Sequence, residues 1–439
     1  MAIHGAGQDQ PAGGPDPLPP LQSMAERDDA PVLNRDIAIE AAGSGHDAAA
    51  GNHQVMGHRR LPRTWKRYTR GCTVAFRLRQ IHAAIGRVWR KRARHSFLGF
   101  PVGDREGRSA MSVVPVIDLS TFLDDSGAAR REVAELTDRT CREIGFLFVT
   151  GHRVPQDLSQ RLHALSKDFF RREAAEKMHV AQPASDIIRG YIGQGKAALA
   201  ATLGETSPPD LKETFSIGPE VPPDAGPYYA APGSRNHFAP NLWPEAPEGW
   251  RDAFLEYWDE MGRLSAELMR LFACAHGLDE EHFTDSIDRH VSVLSAMYYP
   301  DQDVPPETGQ LRAGAHTDFG TMTVLKPDDA PGGLQVRTSQ GGWAPVKAPP
   351  GAFILNVGDM MARWTNDRWV STLHRVVNPP PDLAVGSERL SIGFFHQPNY
   401  DAVVECLSSC RRDDAAPKYP PVLAGDYLHA QFSSQVVKE

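Results

Sequence analysis

Cysteine is scarce in this chain: five in 439 residues, at Cys72, Cys141, Cys274, Cys406 and Cys410. Scattered thiols in that number build no disulfide framework, and Cys406-x-x-x-Cys410 lacks the second pair that would complete a zinc site. Reduced thiols point to a cytoplasmic protein. Positive charge is also in deficit. The 47 Lys and Arg against 55 Asp and Glu leave a net charge of -8, which argues against nucleic acid as a partner of the whole molecule. No apolar run is long enough to span a bilayer. Met1 is followed by Ala, Gly, Gln and Pro rather than a basic start and an apolar segment, so neither a signal peptide nor a membrane partner is expected. A hydrophobic content of 41% with 23% charged residues fits a globular protein of one large domain with extensions, or of two domains. The oligomeric state is not legible.

What the chain does have is unevenly spread. Residues 1–56 are rich in Ala, Gly, Pro and Asp and read as disordered. Residues 58–94 turn strongly basic, as in Arg90-Lys91-Arg92-Ala93-Arg94. Such a stretch can touch anionic membranes or nucleic acid. Met111, however, stands just ahead of the first expected strand, 113–117, so residues 1–110 are read as an upstream extension without assigned function. Residues 111–285 read as a helical region. Val133, Leu136, Thr140 and Ile144 predict a helix over 130–144, and Leu158, Leu162, Leu165 and Phe169 predict one over 155–177. Phe254, Tyr257, Met261, Leu264, Leu268 and Leu271 predict a long helix over 250–277, ended by Gly277. Between them, the Gly- and Pro-rich segment 190–218 reads as an ordered loop of the kind that covers active sites.

Residues 286–432 change rhythm. Short apolar runs separated by Gly, Pro and Asp predict strands near 293–299, 322–325, 334–337, 343–346, 353–357, 370–377 and 390–395. The fold class expected is mainly β with flanking helices (α+β), built on an antiparallel double sheet.

Inside this region lies Gly314-Ala315-His316-Thr317-Asp318-Phe319-Gly320. In an extended segment His316 and Asp318 share a face, and an imidazole with a carboxylate makes two corners of a metal site. His374 is the best third ligand. Two His and one carboxylate with open positions form the facial triad of non-haem Fe(II) oxygenases. Arg389 and Ser391 share the next strand face among Leu390, Ile392, Phe394 and Phe395, where a guanidinium needs a buried anion. Asn356, Gly358 and Asp359 read as a strand followed by a tight turn, and His396 as a possible neighbour of the pocket.

These residues resemble the isopenicillin N synthase-type branch of the 2-oxoglutarate/Fe(II) oxygenases over about 113–432. The motifs are His316-x-Asp318, then His374-Arg375, then Arg389-x-Ser391, in that order. Tyr298-Tyr299-Pro300, Asn356-Val357-Gly358-Asp359-Met360, Pro115-Val116-Ile117-Asp118-Leu119 and the run from Gly145 to His152 support it. The resemblance implies a distorted double-stranded β-helix (jelly roll) with Fe(II) on His316, Asp318 and His374. It implies 2-oxoglutarate and O2 as cosubstrates, the far carboxylate of the former held by Arg389, Ser391 and Tyr299. Succinate and CO2 would form as a small organic molecule is hydroxylated or desaturated. Asp318 speaks against halogenation, because iron halogenases lack a carboxylate there. Tyr191, Phe215, Met297 and Phe395 are the expected substrate-pocket residues, Met297 standing where many relatives carry Asn.

Other readings stay open on the sequence alone. In isopenicillin N synthase itself the Arg–Ser pair holds the substrate's carboxylate, and a related oxidase uses ascorbate. The ethylene- and succinate-forming enzyme acts on 2-oxoglutarate and arginine, and Phe395-His396-Gln397-Pro398-Asn399-Tyr400 is similar to its sequence over a short run. A silent jelly-roll binding protein has no need of all four of His316, Asp318, His374 and Arg389. A zinc hydrolase leaves Arg389 and Ser391 unexplained.

Overall fold

The computed structural model describes residues 114–196, 198–203, 207–222, 224–411 and 415–434, so the extension expected over 1–110 lies outside the described residues. In chain order the strands are β1 (Val116–Asp118), β2 (Phe146–Thr150), β3 (Gly190–Ile192), β4 (Glu213–Ile217), β5 (Val293–Tyr299), β6 (Ala313–His316), β7 (Met322–Pro327), β8 (Gly333–Arg337), β9 (Trp343–Pro345), β10 (Phe353–Val357), β11 (His374–Val377), β12 (Arg389–His396), β13 (Val403–Val404) and β14 (Val422–Leu423). The helices are α1 (Leu119–Asp124), α2 (Ala128–Glu143), α3 (Gln156–Phe170), α4 (Ala174–Met178), α5 (Trp250–Ala275), α6 (Thr284–Ile287), α7 (Asp359–Trp364) and α8 (Ala424–Ser434).

An eight-stranded sheet runs β1-β2-β10-β7-β12-β5-β4-β3, and a four-stranded sheet runs β6-β11-β8-β9. All pairings but β1–β2 are antiparallel. Strands from both sides of residue 286 share the larger sheet. The jelly-roll core is therefore built by both regions.

Helices cover the outer face of the large sheet. The stripe of α5 buries Trp250, Phe254, Tyr257, Met261, Leu264, Leu268 and Leu271 in one core with Leu294, Leu390 and Phe394 from the strands. It stops where Gly277 takes φ +66°, and the Gly277 and Leu278 amides donate back to Cys274 and Ala273 at 3.0 Å. Burying a side chain such as Phe254 contributes about 2 kcal/mol. A second cluster fills one half of the space between the sheets with Phe146, Phe148, Ile354, Leu334 and Val336. The other half holds the site.

Four elements depart from expectation. The helix over 155–177 breaks after Phe170, because Lys177 turns inward and donates to Phe170 O (2.8 Å) and Glu213 Oε2 (2.6 Å). Segment 190–218 contributes β3 and β4 to the sheet edge, and its Gly and Pro content hid the Thr214-Phe215-Ser216-Ile217 alternation. The strand expected over 370–377 begins only at His374, since Val370 N and Thr372 Oγ1 bond Cys141 O and Ile144 O at the end of α2. A turn expected after Asn356 is the start of α7.

Candidate metal centre and its cavity

His316 ends β6 and His374 begins β11, directly opposite each other, with ring centroids 4.3 Å apart. Asp318 follows in the next turn. Each of the three offers one donor atom within 4.8 Å of the others. Asp318 Oδ1 lies 3.8 Å from His316 Nε2 and 3.7 Å from His374 Nε2.

The neighbours aim these atoms inward. His316 Nδ1 is 2.7 Å from Gly314 O, and His374 Nδ1 is 3.1 Å from Thr372 O. A proton on Nδ1 donated to a carbonyl leaves the Nε2 lone pair facing the centre. Asn356 Nδ2 (2.7 Å) and Thr323 Oγ1 donate to Asp318 Oδ2, leaving Oδ1 free to face the histidines. Burial pushes the Asp318 carboxyl up, but His374, His316 and these two bonds outweigh it and hold it below the usual range. Burial, then the adjacent His374, pushes the His316 imidazole well down. A carboxylate beside an unprotonated imidazole is the donor state that metal binding requires. The set fits ferrous iron, with its open side toward a cavity.

The turn carrying Asp318 is clamped from below. The first amides of α7 donate to it: Asp359 N to Asp318 O at 2.8 Å and Met360 N to Gly320 O at 3.0 Å. A Cβ on Gly358 would stand 2.2 Å from Gly320 O, so glycine is required for this approach. From above, buried Asp210 accepts from Gly314 N at 2.9 Å and Leu199 N at 3.3 Å. Asp210 was missed from sequence; its only signal was a lone acid in the run Pro208-Pro209-Asp210-Leu211.

A cavity of about 210 Å³ adjoins the centre. Period-two alternation decides its walls. Arg389, Ser391 and Phe395 of β12 face it, as do Ser295, Met297 and Tyr299 of β5. Arg389 is 5% exposed, donates to Ala330 O at 3.2 Å, and has no carboxylate within ion-pair distance among the described residues. Burial pushes its guanidinium down and the Tyr299 hydroxyl up to about 12, so Tyr299 keeps its proton at neutral pH.

Two expected pocket residues require correction. Tyr191 and Phe215 point to the opposite face of β3 and β4, into the helix-covered core. Tyr191 Oη donates to Glu213 Oε2 at 2.7 Å, and Phe215 packs on Phe169, Trp250 and Phe254. Their strand neighbours Ile192, Thr214 and Ser216 line the cavity instead. His396 also faces the core, 2.6 Å from Thr321 Oγ1.

Residues 114–246 match the N-terminal domain described for a non-haem dioxygenase in morphine synthesis, and residues 290–398 match the 2OG-Fe(II) oxygenase superfamily. The chain is 32% identical over 327 residues to a 2-oxoglutarate-Fe(II) type oxidoreductase of Emericella nidulans, covering 74% of this chain and 90% of that one. It is 33% identical to a homoarginine-6-hydroxylase of Oryza sativa, covering 73% and 96%. A full-length Neurospora crassa protein solved with alpha-KG and thymine superposes with a TM-score of 0.63 at 28% identity, covering 73% and 96%.

Proposed function

The chain belongs to the 2-oxoglutarate/Fe(II) oxygenase superfamily, and from that premise we propose how its residues divide the work. His316, Asp318 and His374 hold the iron, while Arg389, Ser391 and Tyr299 hold the far carboxylate of 2-oxoglutarate. Bound there, Fe(II) supplies the redox chemistry that couples O2 cleavage to decarboxylation of the cosubstrate. One oxygen atom goes to succinate with release of CO2, and the other goes to the substrate as a hydroxyl or leaves as water on desaturation.

The observation that carries this reading is the buried guanidinium of Arg389, opening on the cavity and without an ion-pair partner among the described residues. A charge so placed requires an anionic partner, and a fork geometry selects a carboxylate. Asn356 and Thr323 orient Asp318, and the walls exclude water from the reacting carbon. A small molecule is the prime substrate, oxidised in the cytoplasm, where ferrous iron and thiols stay reduced. Residues 111–285 carry most of the helical cover and lend β1–β4 to the large sheet, residues 286–432 supply the rest of the core, and residues 1–110 are an extension. A zinc hydrolase gives Arg389 no task.

Arg389→Ala tests the assignment. It is expected to raise the 2-oxoglutarate concentration needed by roughly a hundredfold, the effect of unpairing a buried charge, with Fe(II) affinity kept. Equal loss of iron and cosubstrate affinity would contradict it.

A further inference from the structure

The cavity has a second charged pole. Lys212 stands just before β4 and lines the wall, its side chain 10% exposed. Among the described residues its charged partner is Asp210, 3.4 Å from Nζ to Oδ2. That carboxylate is already shared with the Gly314 and Leu199 amides. The ammonium carries three donors, and one long contact does not satisfy them. In a nearly enclosed wall the remainder call for acceptors from within the cavity.

Register indicates which molecule supplies them. β4 pairs Glu213 with Tyr298, and one further step sets Lys212 beside Tyr299, which itself pairs with Arg389. Lys212 and Arg389 thus flank Tyr299, two strand spacings or roughly 10 Å apart. The proposed anchor for 2-oxoglutarate, Arg389 and Ser391, belongs to β12. On the Lys212 side stand Leu199, whose amide bonds Asp210, and Ile192, which pairs with Thr214 two residues on.

Resting on the cosubstrate assignment above, we propose that Lys212 is a specificity-determining residue of the prime-substrate subsite. It donates to an acceptor oxygen, carboxylate or carbonyl, of a small molecule whose apolar body packs on Ile192 and Leu199. The hydroxyls of Thr214 and Ser216 extend this polar floor along the same strand face.

The test uses the full chain, loaded anaerobically with Fe(II) and 2-oxoglutarate, whose chelation gives a visible charge-transfer band. Benzoate, benzamide and toluene share one ring and differ in the acceptor. Benzoate or benzamide is expected to perturb the band at concentrations about tenfold or more below toluene, the effect of a hydrogen bond from a charged donor. In Lys212→Met that preference should shrink to under about threefold, with the band itself forming at an unchanged 2-oxoglutarate concentration. Lys212→Gln separates the two acceptors. Loss of benzoate binding alone marks a carboxylate reader, and retention of both probes marks a carbonyl reader. A wild-type protein without acceptor preference, or an undiminished preference in Lys212→Met, overturns the inference. Loss of the band in both variants would assign Lys212 to the cosubstrate and overturn it too. Absence of the band in the wild type would overturn the cosubstrate reading, and this inference with it.

Discussion

The two ends of the cavity are built differently. At the Arg389 end the lining side chains come from β5 and β12, seven and eight residues long and in unbroken register with each other. At the Lys212 end they come from a three-residue strand, the start of β4 and a short 3-10 turn at Leu199–Leu203. Long central strands hold a side chain within a narrow geometry because neighbours on both sides fix the backbone. Edge strands and turns tolerate exchange. The proposed cosubstrate anchor therefore sits on the rigid end, and the proposed substrate subsite on the adaptable one.

The severest way to break this contrast is at the metal. His316→Ala or His374→Ala is expected to abolish stoichiometric Fe(II) binding, measured by metal analysis after desalting. Retention of one iron per chain in both variants would remove the ligand assignment. Next comes the strand that borders both environments. Phe215→Ala should cost about 3–5 kcal/mol of stability by opening a core cavity, read by urea denaturation. Its 2-oxoglutarate affinity should stay unchanged, whereas a lost affinity would mean that the core face of β4 reaches the site. Asn356→Ala removes one support of Asp318 and should weaken Fe(II) binding by about 10–100-fold, with the fold intact. An unaltered iron affinity would make that bond purely architectural.

The smallest effect concerns how the rigid end is held. Asp328 accepts from Leu390 N at 2.9 Å and pairs with Lys167 at 3.0 Å and with His163, anchoring β12 beside Arg389. Burial raises this carboxyl, but His163, Lys167 and the Leu390 amide outweigh it and bring it from 3.8 to about 2. A depressed carboxylate contributes its stability fully above the unfolded value and loses it as pH falls through the folded one. About 2 kcal/mol should therefore disappear between roughly pH 4 and pH 2. Asp328→Asn should show a flatter acid limb in thermal melts, and an identical limb would contradict the anchoring role.

The same contrast decides what the sequence disclosed. The metal triad was legible because His316 and Asp318 are close in sequence and His374 and Arg389 follow in fixed order. The strands 293–299 and 353–357 were legible from apolar runs, and both match β5 and β10. The Lys212 end was not. Parity fails there without a known register: Tyr191 and Phe215 looked like pocket aromatics, yet a shift of one residue sends them to the core. Asp210 and Lys212 are ordinary turn residues until β6 is folded against them. The start of α7 was hidden because its amides are capped by carbonyls of Asp318, Phe319 and Gly320, which are distant in sequence.

The most direct test of the central claim is anaerobic titration of the full-length Fe(II) protein with 2-oxoglutarate, followed by admission of O2. A charge-transfer band saturating at one equivalent, and succinate formed in step with 2-oxoglutarate consumed, is the predicted result. Iron bound without a band, or a band without succinate, would contradict the account.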